Sequence, residues 1–240
     1  MKSIKTFSLA IIILASSCQV VESKKEEQVN PWISLSDPAS EQQWKVVNGA
    51  ATYSFDKGVI TGVTKWDTPN TFLATKARYS DFILELEVKV DSTINSGIQF
   101  RSNRLSTYRN GVVHGYQCEI DPSPRAWSGG IYDEQRRGWL YDLDQNPEGK
   151  AAFKNGEWNA YRIEAIGPNL RTWVNGINTA NLIDSLTSEG FIALQVHSIS
   201  DSAKAGKTIQ WRNINILTEQ LSAATWEPHL TAPEIVYSSK

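Results

Sequence analysis

Phe82-Ile-Leu-Glu-Leu-Glu-Val-Lys-Val90 alternates with a period of two. Phe82, Leu84, Leu86, Val88 and Val90 fall on one face, and Ile83, Glu85, Glu87 and Lys89 on the other. An amphipathic helix would repeat every three to four residues, so this pattern predicts a half-buried antiparallel strand. The same period recurs outward in both directions. Residues 96–102, 115–121, 159–166, 170–174, 190–197 and 208–217 read as strands, with shorter ones at 44–47, 53–55 and 58–61. Turn signals separate them, among them Asn110-Gly111, Asn155-Gly156, Gly167-Pro168-Asn169 and Asn175-Gly176. No long stretch has helical periodicity and no internal repeat is present. Many short strands with regular turns predict an all-β fold, a two-sheet antiparallel jelly-roll sandwich.

The 240 residues carry 24 Lys and Arg against 26 Asp and Glu, a net charge of −2. That balance gives no electrostatic footprint for nucleic acid. Nine Trp and eight Tyr suit both core filling and stacking on sugars. The two cysteines, Cys18 and Cys118, do not suggest an intramolecular disulfide framework. Lys2 and Lys5 precede a short apolar run, residues 7–14, too short to span a bilayer, which reads as a signal peptide. Leu14-Ala-Ser-Ser-Cys18 is similar to a bacterial lipoprotein signal with Cys18 as the lipidated residue, although Ala15 stands where Leu is usual. An ordinary signal peptide with an incidental cysteine is the alternative. The expected organisation is a signal at 1–18, a polar tether at 19–30, the sandwich domain at 31–218 and a tail at 219–240 containing Pro228 and Pro233. The expected location is the cell envelope, with membrane contact only through the lipid anchor.

Strand alternation then sorts the polar side chains. With Ile98 and Phe100 inward, Gln99 and Arg101 face outward. With Tyr116, Cys118 and Ile120 inward, Gln117, Glu119 and Asp121 face outward, and Gln195 and His197 likewise lie opposite Ile192, Leu194 and Val196. Trp173 lies opposite Thr172 and Val174. Solvated faces are usually Lys, Glu, Thr and Ser; Gln, Arg, His and Trp instead recognise ligands through fixed geometry. If these strands are neighbours, they floor a groove. Residues 125–141 add Trp127, Tyr132, Glu134, Arg136, Arg137 and Trp139 without clear periodicity, as expected of a functional loop roofing that groove. Such a set suits a polyhydroxyl ligand. Glu119, Asp121 and His197 are also candidate ligands for a divalent cation, without diagnostic spacing. His114 and His229 read as surface residues.

Five motifs carry a resemblance: Asn95-Ser-Gly-Ile-Gln-Phe-Arg-Ser102, Gly115-Tyr-Gln-Cys-Glu-Ile-Asp121, Trp127-Ser-Gly-Gly-Ile-Tyr-Asp-Glu134, Arg136-Arg-Gly-Trp-Leu-Tyr141 and Gly190-Phe-Ile-Ala-Leu-Gln-Val-His-Ser198. Over about residues 32–217 the chain resembles the 3-keto-disaccharide hydrolase family, a concanavalin-like domain family of Bacteroidetes and Planctomycetes. Cys118 departs from it, standing where an aliphatic residue is usual. The resemblance implies a jelly roll of the concanavalin A-like lectin and glucanase type. It also implies cleavage of glycosides oxidised to a ketone at C3, the substrate being an oxidised di- or oligosaccharide.

The implied chemistry differs from ordinary glycoside hydrolysis, in which two carboxylates flank the bond. A C3 ketone acidifies the C2 proton; a base removes it, the C1 substituent leaves, and water adds across the double bond. Glu119 and His197 are the expected base and acid, in either order, with Arg101 stabilising charge on oxygen. Gln99, Gln117, Asp121, Trp127, Tyr132, Glu134, Arg136, Arg137, Trp139, Trp173 and Gln195 are the expected substrate-binding residues. Two alternatives stand beside this. A lectin-like module would bind sugar without needing His197 beside a carboxylate. A glucanase-type hydrolase would want a third carboxylate after Glu119-Ile-Asp121, where Pro124 stands.

Overall fold

The computed structural model describes residues 30–237. The expected signal peptide, Cys18 and the tether up to Val29 lie outside the described residues. The chain runs through β1 (Ile33–Ser34), β2 (Trp44–Asn48), β3 (Thr52–Asp56), β4 (Val59–Val63), β5 (Thr71–Thr75), β6 (Phe82–Val90), β7 (Ser96–Asn103) and β8 (His114–Ile120). It continues through β9 (Ile131–Glu134), β10 (Gly138–Tyr141), a short helix α1 (Pro147–Ala151), β11 (Asn159–Ile166), β12 (Asn169–Val174) and β13 (Ile177–Ile183). β14 (Phe191–Val196), β15 (Thr208–Leu217) and β16 (Glu234–Val236) complete it.

The larger sheet has the order β16-β13-β12-β11-β6-β15-β4-β3, with β1 also on β15; the smaller has the order β10-β9-β8-β7-β14-β5-β2. Pairing is antiparallel except that β16 joins β13 in parallel. This is the two-sheet sandwich that the alternation predicts. β6 lies between β11 and β15, and its row from Phe82 to Val90 is at most 2% exposed. Across from it, Ile98, Phe100, Tyr116, Cys118, Ile120, Ile192 and Leu194 of the smaller sheet complete the main core. Each such aliphatic or aromatic side chain, once buried, contributes about 1.5–3 kcal/mol.

Three departures matter for the site. β5 is buried along its whole length and so shows no alternation. Residues 131–141 are not a roofing loop: β9 and β10 form a hairpin that extends the smaller sheet beside β8. β13 lies where the sequence predicts no strand, and its Asn178 and Thr179 are buried and hydrogen-bonded. After β15 the chain makes 3-10 turns at Leu221–Ala223 and Glu227–His229, and Trp226 meets Trp173 edge-on at 5.8 Å.

Candidate functional site

The outer face of the smaller sheet gathers the expected polar groups from β7, β8, β9 and β14. In register, Gln117 lies beside Gln99 on one side and Tyr132 on the other, and Glu119 lies beside Gly97. Gln117, Glu119, Tyr132, Glu134, Trp139 and His197 line a cavity of about 270 Å³. Asn70, Asn95, Arg125 and Gln135 complete its wall.

Glu119 is the end of a directed chain of hydrogen bonds. Ser102 Oγ donates to Gln99 Oε1 at 2.6 Å, Gln99 Nε2 to Gln117 Oε1 at 2.7 Å, and Gln117 Nε2 to Glu119 Oε2 at 2.9 Å. Asn95 Nδ2 donates to Glu119 Oε1 at 2.6 Å. Each glutamine spends its oxygen as acceptor and its nitrogen as donor, so both carboxylate oxygens receive neutral donors. Burial pushes the Glu119 carboxyl up to about 7, only partly opposed by the Asn95 and Gln117 bonds, and the neighbouring Asp121 charge pushes the same way. Arg125 offers a weaker counter-charge, 3.8 Å from Glu119 Oε1. Gly97 makes room for this chain: a Cβ there would lie 2.3 Å from Gln117 Cδ.

His197 lines the same cavity. Its Nδ1 donates to Ser198 O at 2.6 Å, since a carbonyl oxygen can only accept, and Nε2 is left for proton exchange. Asn70 fixes this corner. Its Oδ1 accepts from Ser198 N at 2.9 Å while its Nδ2 donates to Glu134 Oε1 at 3.3 Å. Burial raises the Glu134 carboxyl above its usual range, against hydrogen bonds from Gln135 and Asn70 and the charge of His197. Aromatic rings close the third side: Trp139 packs edge-on against Tyr132 at 5.1 Å, and the Arg125 guanidinium lies 5.0 Å from the Trp139 ring.

Several sequence expectations are corrected. Arg101 does not face the cavity. A register shift in β7 and a φ of 45° at Arg101 break the alternation, and the side chain, 1% exposed, runs to Ala165 O, Gly167 O and Ser80 O. A bulge of this kind re-aims one residue while leaving its neighbours in place. Gly190 lets the bulge form, because a Cβ there would lie 2.2 Å from the Arg101 carbonyl carbon. Trp173 sits in β12 of the larger sheet, so it belongs to the other face of the molecule.

Arg136 and Arg137 donate to Asp133, at 2.6 and 2.5 Å, and Arg137 also reaches Asp184; neither lines the cavity. Trp127 stands behind Trp139, 4.6 Å away and edge-on, as its support. Gln99 and Gln195 are fully buried in the floor, and neither lines the cavity. Asp121 turns to Arg125 Nε at 2.7 Å, and although burial pushes it up, bonds from Ser123 and Arg125 hold its carboxyl below the usual range. Glu119, Asp121 and His197 are therefore not gathered as a cation site: among the described residues no three His, Cys, Asp or Glu side chains cluster to hold a metal ion. His114 is 5% exposed and packs on Tyr108 at 4.2 Å rather than lying on the surface. Asn70, Asn95, Arg125 and Gln135 line the cavity but are not among the residues the sequence points to. All four lie between strands, where alternation assigns no face; Asn95, Arg125 and Gln135 do stand in segments singled out in the sequence.

Fold and site together define a lectin-type jelly roll with a polar, aromatic-walled cavity on one sheet face. A family model, the 3-keto-alpha-glucoside-1,2-lyase-like domain, matches residues 31–217, and the chain belongs to this family, whose name is carbohydrate-related. No match was found among curated proteins. A proposed glycosyl hydrolase from Parabacteroides distasonis is similar in structure at 15% identity, covering 78% of this chain and 93% of its own, with a TM-score of 0.55. A protein with a galectin-like fold from Bacillus subtilis matches at 10% identity over 78% and 94%, with a TM-score of 0.57. The carbohydrate-binding module CBM66 from Bacillus subtilis matches at 16% identity over 73% and 95%, with a TM-score of 0.50. These likenesses show the shared fold.

Proposed function

We propose that the protein cleaves glycosides bearing a ketone at C3 of the sugar, by elimination across C1 and C2 followed by hydration. The observation that carries the reading is Glu119, a buried carboxyl held by neutral amides with its pKa pushed up to about 7. A group poised there both takes and returns a proton near neutrality. The Glu119 carboxylate removes the C2 proton, and the electron pair moves toward the C3 oxygen. The C1–O bond then breaks as the C3 carbonyl is restored and a C1–C2 double bond forms, and the leaving oxygen takes the Nε2 proton of the His197 imidazolium, whose Nδ1 proton stays hydrogen-bonded to Ser198 O. Water gives a proton back to His197 and its hydroxyl to C1, and Glu119 returns its proton to C2. Arg125, rather than Arg101, is the guanidinium that borders the reacting space.

The test is turnover of a 3-keto-disaccharide. Glu119→Gln and His197→Ala each lower kcat by about 10²- to 10⁴-fold, and Glu119→Gln also abolishes exchange of the C2 hydrogen with solvent deuterium. Near-normal turnover in both variants overturns the assignment. Saturable binding of intact glycosides with no product from any 3-keto sugar supports the lectin-like alternative. The export reading rests on Leu14 to Cys18; on it, fatty-acid labelling of the full chain is lost in Cys18→Ala.

A further inference from the structure

Three cavities run end to end from the site. The site cavity, about 270 Å³, shares Asn95 and His197 with a second of about 310 Å³. That second cavity shares Ile199 and Ser200 with a third of about 430 Å³, walled by residues 66–69. At the far end stands Trp66, 48% exposed, although the backbone beneath it is fixed by a bridge to Ile199. Its loop is held further by Thr68, whose hydroxyl accepts from Ala50 N at 2.8 Å. An indole kept half in water on an anchored backbone presents a flat apolar face with a polar edge beside the trough.

We infer that this trough receives the leaving group, that the leaving group is itself an oligosaccharide, and that Trp66 is the platform on which its distal sugar stacks. The inference rests on the reading of Glu119 and His197 given above and extends it to substrate class. Ligand pockets commonly span about 300–1,000 Å³, so the site cavity has room for little more than one sugar ring. Trp139 and Arg125 wall one side of it, and the second cavity opens past His197, the residue that protonates the leaving oxygen. The wall beyond mixes hydroxyls and apolar surface, Thr93, Ser123 and Ser198 beside Ile94, Pro122 and Ile199, with the charged Asp121 and Lys204 among them. That mixture matches the hydroxyl edges and C–H faces of a pyranose better than a purely apolar aglycone.

The experiment compares a 3-keto-disaccharide with the 3-keto-trisaccharide of the same linkage, each oxidised on its non-reducing sugar. Trp66→Ala lowers kcat/KM for the trisaccharide about tenfold, through KM, and leaves the disaccharide within twofold, while Trp66→Phe keeps most of the trisaccharide preference. An equal loss on both substrates, or no loss on either, overturns the subsite. Calorimetric binding of the same two sugars to the Glu119→Gln protein, with and without Trp66→Ala, separates the two claims. A Trp66-dependent preference for the trisaccharide with no turnover by the unsubstituted protein sustains the subsite and overturns the chemistry. Absence of any such preference overturns the subsite whatever the turnover.

Discussion

The two outer faces of the sandwich are built from similar residues and use them in opposite ways. On the larger sheet Arg162 donates twice to Glu164, at 2.9 and 2.7 Å, and also to Glu85, while Arg212 grips Glu87 at 2.6 and 2.8 Å. Trp226 covers the Arg162 guanidinium at 4.5 Å, and its backbone N–H donates to Glu164 at 2.8 Å, so this cluster locks the C-terminal segment to the sheet. Here each of these carboxylates meets an arginine. On the smaller sheet Glu119 receives two amide nitrogens and only a distant guanidinium, and its pKa rises to about 7. Aromatic and charged composition alone therefore does not mark a site. What separates Glu119 from Glu164 is whether the buried charge is neutralised.

The largest expected effect breaks the neutralised face. Arg162→Met leaves Glu164, 1% exposed, without its arginine and costs about 3–5 kcal/mol of unfolding free energy, measured by denaturant titration. Turnover per folded molecule stays unchanged, and adding Glu164→Leu recovers much of the loss. A fall in kcat without a fall in stability would erase the distinction between the faces. The next effect lies on the other face and appears as pH dependence. The folded-state pKa of Glu119 is raised above the ordinary glutamate value of 4.5 to about 7. Its contribution to stability is therefore fully present below about 4.5 and is lost as pH rises through about 7. The bound on that loss is about 3 kcal/mol at 1.36 kcal/mol per unit. Thermal unfolding from pH 4.5 to 8 shows a decline that Glu119→Gln flattens; equal slopes would mean that Glu119 titrates normally.

Much of this contrast is written in the alternation of the strands. Gln117, Glu119 and His197 could be placed on an outer face because β8 and β14 keep strict period two, and β7 kept it as far as Phe100. One bulged residue defeats the alternation at Arg101, since a left-handed φ has no signature in Phe-Arg-Ser. Trp173 departs from the expectation for a different reason: alternation gives the face of a strand but not the sheet in which the strand lies, and that depends on pairings between residues far apart in the chain. β9 and β10 fall in residues 125–141, which show no clear periodicity, and Arg136 and Arg137 in the turn between them are spent on Asp133 of β9. Asn70 is 64 residues from the Glu134 it holds, and nothing local marks it.

The smallest effect sharpens the comparison most, because it changes how Glu119 is held without touching Glu119. Gly97→Ala places a methyl group 2.3 Å from Gln117 Cδ and 2.7 Å from its Nε2, in strands whose backbones are locked by pairing on both sides. The glutamine side chain is the part able to move, and moving it breaks the bond to Glu119 Oε2. That bond favours the carboxylate, so its loss raises the Glu119 pKa further and moves the rising limb of kcat/KM above about 7. A hydrogen bond to a charged group is worth about 1.5–3 kcal/mol, so turnover at neutral pH falls about tenfold and recovers at higher pH. A purely structural disturbance would lower activity equally at every pH. Gln99→Leu, which removes the donor behind Gln117, moves the limb in the same direction by less, because Gln117 then keeps its place and loses only its orientation.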